Sequence, residues 1–151
     1  MKDEIHFLRY AELPAVPRGH GIVNHPITSA RLGATRIRSG VTWLPVGAAV
    51  PSHSHGNAEE QVTVLQGKVR ITLGDQVLDC EPYDSTFISN GVPHAFCNAG
   101  DEPALVMVIY GLTRDNDVTR TFTETGETVQ IGSDQDRFPA SGAVDSGHAL
   151  P

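Results

Sequence analysis

The residues best suited to chemistry stand close together in this chain: His53 and His55 in the run GAAVPSHSHGNAEEQVTVLQG, Glu60 five positions later, and His94 in NGVPHAFCN. In an extended strand alternate side chains share a face, so the two rings of His-Ser-His project the same way, near enough to grip one ion. Glu60 opens EQVTVLQG, which reads as a strand ending at a glycine turn, and a turn at Gly56-Asn57 would return that strand beside the first. On that reading one hairpin supplies three ligands. His94, released from the turn Gly91-Val92-Pro93 at the start of another short strand, supplies the fourth. Three imidazoles and one carboxylate suit a single divalent ion (iron, manganese, nickel, copper or zinc) and leave adjacent positions free if that ion is six-coordinate.

Register decides which of two neighbouring acids faces the ion. Counting back from Gly67 puts Glu60, Val62 and Val64 on the ligand face and turns Glu59 and Gln61 away, unless a bulge reverses the alternation. Val62, Val64 and Phe96 are then the expected apolar wall of a substrate pocket.

This spacing resembles the paired motifs of the cupin superfamily. Gly47, His53, His55, Glu60 and Gly67 match the first motif at every position. Gly91, His94 and Asn98 match the second, while Tyr83 and Ser89 stand where that motif has a glycine and a proline. The resemblance spans roughly residues 34 to 111 and implies an all-β fold, an antiparallel double-sheet barrel of the jelly-roll type with the metal in its mouth. It also implies dioxygenase-like chemistry as a common outcome of this ligand set, although one fold hosts many activities. The leading expectation is an oxygen-using oxidoreductase acting on a small oxygen-bearing organic molecule. The alternatives are a redox-silent metal-dependent isomerase, cyclase or decarboxylase, and a non-catalytic module that binds a small ligand.

Stepping outward from the site, residues 1–33 carry three prolines among short apolar pieces and read as an N-terminal arm; in many cupins such an arm pairs with a second subunit, which implies a homodimer. His6, His20 and His25 lie there without ligand spacing. Residues 34–131 read as the barrel. In ATRIRSGVTWL, period two sets Arg36 and Arg38 on one face, where they would attract a carboxylate if they lined the barrel and are solvated otherwise. Gly74-Asp75 marks a hairpin, Ala104–Tyr110 reads as a strand buried on both faces, and Thr125-Gly126 marks a terminal hairpin. Residues 132–151, rich in Gly, Ser, Pro and Asp, are expected to form a loose tail or to lie against a partner.

At 151 residues the chain fits one domain with a core large enough to need no disulfide, and Cys80 and Cys97 read as reduced thiols. A net charge of −7 without a basic cluster argues against nucleic acid. The charged start MKDEIHFLRYAEL does not resemble a secretory signal, and no apolar run could span a bilayer, so a cytoplasmic protein without membrane contact is expected.

Overall fold

In the computed structural model, residues 5–113 and 117–138 are described; residues 139–151, including His148 of the tail, lie outside them. Twelve strands follow in chain order: β1 (Val16–Gly19), β2 (Ile22–Pro26), β3 (Ile37–Leu44), β4 (Ala49–Ser54), β5 (Ala58–Gln66), β6 (Val69–Leu73), β7 (Gln76–Cys80), β8 (Ser85–Ile88), β9 (His94–Asn98), β10 (Ala104–Leu112), β11 (Thr119–Phe122) and β12 (Thr128–Gln130). The described residues contain no α-helix, only single 3-10 turns at Tyr10–Glu12 and Ala30–Leu32.

The strands form two antiparallel sheets of six, ordered β1-β2-β3-β10-β5-β8 and β12-β11-β4-β9-β6-β7. The fold is all-β and cupin-like, as the motifs imply, but the two sheets keep separate edges and do not close into a barrel. The segment read as an arm contributes β1 and β2, and β2 pairs with β3 of the same chain through Val23↔Trp43 and His25↔Val41.

Alternation explains where the core sits. Along β5 the inward side chains are Ala58, Glu60, Val62 and Val64, and in the pairing with β10 they lie beside Leu112, Tyr110, Val108 and Val106. Val62, Val64 and Val106 are fully buried and pack with Val50, Val69, Ile71 and Phe96 of the facing sheet. Each such side chain contributes up to about 1.5–3 kcal/mol by leaving water. One face of β5 therefore runs from a dry core at Val64 to a carboxylate at Glu60. β10 is less enclosed than its apolar run suggests: Val106 and Val108 are buried, but Leu105, Met107 and Ile109 on its outer face are half-buried.

The hairpin expected at Gly74-Asp75 joins β6 and β7, with Leu73↔Gln76 the last pair before a two-residue turn. The one expected at Gly56-Asn57 does not form. β4 and β5 belong to different sheets, so residues 55–57 cross from one sheet to the other. β4 pairs instead with β9 and β11, and β5 with β10 and β8.

Candidate metal centre

The crossover lets one short stretch supply ligands from both sheets. His53 lies on β4 opposite His94, the first residue of β9, in the register His53↔His94. His55 follows β4 in the crossover, and Glu60 reaches across from β5. Their ligating atoms all lie within 4.8 Å of one another, and all four residues are buried. Glu60 is only 2% exposed whereas Glu59 is exposed, which settles the register in favour of Glu60.

Each ring is oriented by a backbone carbonyl. Nδ1 of His53 donates to Pro51 O at 2.7 Å, that of His55 to Thr119 O at 2.7 Å, and that of His94 to Val92 O at 2.9 Å. A carbonyl can only accept, so in each neutral ring the proton sits on Nδ1 and Nε2 carries a bare lone pair. Those lone pairs turn toward Glu60, whose Oε2 is 3.0 Å from His55 Nε2 and 2.7 Å from His94 Nε2. Glu60 Oε2 and both Nε2 atoms are buried and have no hydrogen-bond partner.

Such an arrangement of acceptors needs either protons or a cation. Burial favours the neutral carboxyl, yet the His55 and His94 rings outweigh it and hold Glu60 well below the usual carboxylate range. Burial also opposes charging His94, but Glu60 raises its pKa on balance. His53 cannot share in this solution: burial, then Arg120 and the other two rings, keep it far below its ordinary value and neutral. A divalent ion satisfies all four groups at once, with neutral imidazoles and an ionised carboxylate. The residues present therefore fit a metal.

Asn57 anchors the crossover. Its Nδ2 donates to Asp117 O at 2.8 Å, and its Oδ1 accepts from the Thr119 N–H at 3.1 Å, fastening the ligand loop to the start of β11. Asn98, the last motif residue, is structural: it donates to Leu44 O and Glu102 O, at 3.1 and 2.7 Å, and closes the turn before β10. At Gly67 the backbone has φ +82° and a Cβ would meet Ala104 at 3.0 Å, so this motif position accepts glycine alone. Tyr83, standing where the motif has a glycine, nonetheless keeps a left-handed φ of 76°.

The site opens on a cavity of about 700 Å³. Phe96 lines it, as expected, beside His53 and Glu60; Val62 and Val64 do not, and serve as core beneath the site. Alternation put them on the correct face but could not say how deep along it the cavity reaches. Val50, Val108 and Tyr110 form the apolar wall in their place. Tyr110 pairs in register with Glu60, and its ring meets that of His55 edge-on at 5.1 Å. Burial and the Glu60 charge push its phenol far above the ordinary value, so the hydroxyl remains a proton donor.

A second polar group in this cavity escaped the motif reading. Arg18, Arg120 and Asp136 are all buried and line the wall. Arg120 bonds Asp136 and lies 4.9 Å from the Phe138 ring centroid, while Arg18 donates to Asp136 O at 3.2 Å. Burial lowers the Arg18 pKa despite Asp136. The composition of residues 132–138 suggested looseness, but Asp136 is 1% exposed and Phe138 7%. One signal was present: Val118, Arg120 and Phe122 share a parity, placing a cation among inward apolar positions. Of the earlier pair, Arg36 is exposed and Arg38 is held by Asp117 at 2.9 Å on the cavity rim. Cys80 and Cys97 are free, and burial raises both thiols.

The fold and the ligand set are cupin-like, and the family profile described as "Cupin domain" matches residues 40–110, just under half of the chain. Among curated proteins it is 29% identical over 133 residues to Protein SchB of Streptomyces halstedii, covering 87% of this chain and 96% of that protein. Among solved structures it is similar to KdgF from Halomonas sp., with TM-score 0.66 and 17% identity over 74% of this chain and 97% of the other. It is also similar to the polyketide cyclase RemF from Streptomyces resistomycificus, with TM-score 0.63 and 20% identity over 83% and 89% of the two chains. No helix among the described residues is long and apolar enough to cross a membrane.

Proposed function

We propose that this protein is a mononuclear metal-dependent enzyme acting on a small carbonyl-bearing organic molecule, with redox-silent cyclase-type chemistry as its reaction class. The observation that carries the reading is the convergence of three buried imidazoles on the buried Glu60 carboxylate at the floor of a mostly apolar cavity. His53, His55, Glu60 and His94 would hold the ion, which when bound supplies Lewis acidity toward a substrate oxygen. The backbone carbonyls of Pro51, Thr119 and Val92 fix ring orientation and keep the imidazoles in the ligating tautomer. Val50, Phe96 and Val108 exclude water from the reacting end, and the protonated Tyr110 hydroxyl is available to donate a hydrogen bond there.

The likeness to a polyketide cyclase over most of both chains supports cyclase over oxygenase chemistry. Oxygen-using, dioxygenase-like oxidation is the second reading, favoured by a four-residue set that leaves adjacent positions on a six-coordinate ion. Zinc-loaded and iron-loaded protein assayed with polyketide-like β-dicarbonyl substrates, in air and under argon, separates them. Turnover with zinc under argon is expected. Turnover that requires iron and consumes dioxygen would replace the first reading by the second, and reversible binding without product under every condition would leave a ligand-binding module.

We further propose a homodimer. Ile5 is 93% exposed and Phe7 79%, an apolar pair that a second subunit would cover. Light scattering of the full chain should give twice the monomer mass; a monodisperse monomer would end the proposal.

A further inference from the structure

One wall of the cavity, next to the ligand cluster, carries a charge imbalance. Arg18 and Arg120 contribute two buried cations, and Asp136 is the carboxylate set between them. Asp136 is itself shared, with Oδ1 toward Arg120 and Oδ2 accepting the Gly132 N–H at 3.1 Å, and Arg18 is no nearer than 3.9 Å to Oδ2. Among the described residues, the remaining bonds of Arg18 go to neutral carbonyls, Ser133 O and Asp136 O. Of the other acids lining the cavity, Glu60 faces the histidines, Asp117 is held by Arg38, and Glu12 is solvent-exposed. An uncompensated buried charge is costly, so a counter-anion from outside the protein would be strongly favoured.

Arg120 shows where that anion fits. Phe138 covers a face of the guanidinium, Asp136 takes Nη1, Tyr110 also bonds the guanidinium, and Nε is buried with no hydrogen-bond partner among the described residues. Residue 120 is only 6% exposed, and Nε belongs to a side chain that lines the cavity. β11 pairs with β4 through Thr121↔Ser54 and Phe122↔His53, which sets Arg120 on the inward face one step along from His53. We propose that Arg120 is the binding residue for the carboxylate of an apolar-bodied organic acid, whose body lies along Val50, Phe96 and Val108 and whose other end reaches the metal centre. The site deepens the reading above by naming the substrate class, and it rests on that reading only for the identity of the reacting end. Cavities of about 300–1,000 Å³ take drug-sized ligands, so the space of about 700 Å³ admits a fused-ring or polyketide-sized acid. A guanidinium held rigid by stacking and by Asp136 loses little entropy when it binds a carboxylate.

The test uses zinc-loaded, full-length protein and two probes of one shape, 2-naphthoate and 2-naphthamide, titrated calorimetrically. The wild-type protein should bind the acid at least about tenfold more tightly than the amide. Arg120→Gln should abolish that preference while zinc content and amide affinity stay unchanged, and Arg120→Lys should restore part of it. Should Arg120→Gln fail to fold, the pair Arg120→Gln with Asp136→Asn removes both charges and is read in the same way. A wild-type protein that binds acid and amide equally, or binds neither at millimolar concentration, overturns the proposal. So does a full preference retained without Arg120, which would put the carboxylate on the zinc. None of these outcomes depends on turnover, so failure of the catalytic reading remains separately visible.

Discussion

The two polar clusters of this cavity are built in opposite ways. The metal-ligand cluster draws His53, His55 and Glu60 from eight consecutive residues and adds His94, and each histidine is aimed by a backbone carbonyl. The arginine cluster draws Arg18, Arg120 and Asp136 from β1, β11 and the segment after β12, with 118 positions between Arg18 and Asp136. In the first, His53 and His94 are aimed by carbonyls two residues away and His55 by Thr119 O of β11, and a cation could complete it. The second is assembled only when the chain ends have docked, and it carries an excess of positive charge. Both line one cavity, a candidate metal site on one side and two buried arginines next to it, Arg120 on the strand that pairs with the strand bearing His53.

The largest effect should come from breaking the local cluster. Replacing His53 and His55 together by alanine should reduce bound metal from about one ion per chain to none surviving desalting, with the β-sheet circular dichroism retained. Elemental analysis decides it, and full occupancy in the double variant would refute the ligand assignment. Breaking the distant cluster should act on stability instead. Asp136→Ala leaves two buried guanidinium groups without their carboxylate, at an expected cost of about 3–5 kcal/mol in urea unfolding. Folded Asp136→Ala protein should still bind metal; loss of metal in parallel would show that the clusters are not independent.

Asn57→Ala probes the link between them, because Asn57 ties the ligand crossover to β11, which carries Arg120. Metal affinity should fall by about 10–100-fold in a chelator competition with little change in fold. A pH series sharpens the contrast further. In the metal-free protein, the His94 pKa lies above its ordinary value through Glu60, so this pair stabilises the fold below about pH 6.5 and loses that contribution as pH rises through the folded pKa. Glu60, held below its ordinary value, contributes from above about pH 4.3 and loses that contribution only in stronger acid. Metal needs His94 deprotonated, so the thermal shift on adding zinc should grow between about pH 6 and 8. A shift that shrinks with pH over that interval would contradict ligation by neutral His94.

The smallest effect lies outside both clusters. Tyr83 holds a left-handed backbone while its side chain is 83% exposed, so Tyr83→Gly should relieve strain and sacrifice little packing. A gain of about 1 kcal/mol is expected in denaturant unfolding, and metal affinity should not change. A loss of stability would mean that the exposed ring packs against a second subunit.

What the sequence determined by itself was everything governed by local periodicity. The parity that turns Glu60 rather than Glu59 inward and the turn at Gly74-Asp75 follow from which side chains share a face over a few residues and are found in the structure, whereas of His-Ser-His only His53 lies on the strand and His55 falls just beyond it. Tertiary structure decided what periodicity leaves open. Alternation sets Val62 on the same face as Glu60 but does not fix the depth at which core gives way to cavity, so Phe96 lines the space and Val62 and Val64 lie beneath it. Spacing could not tell a hairpin from a crossover at residues 55–57, because both need the same few turn residues; the choice belonged to the partners of β4 and β5 in the two sheets. Nor could composition show that Asp136 would be buried, since its burial depends on Arg18 and Arg120 arriving from distant strands to hold its charge.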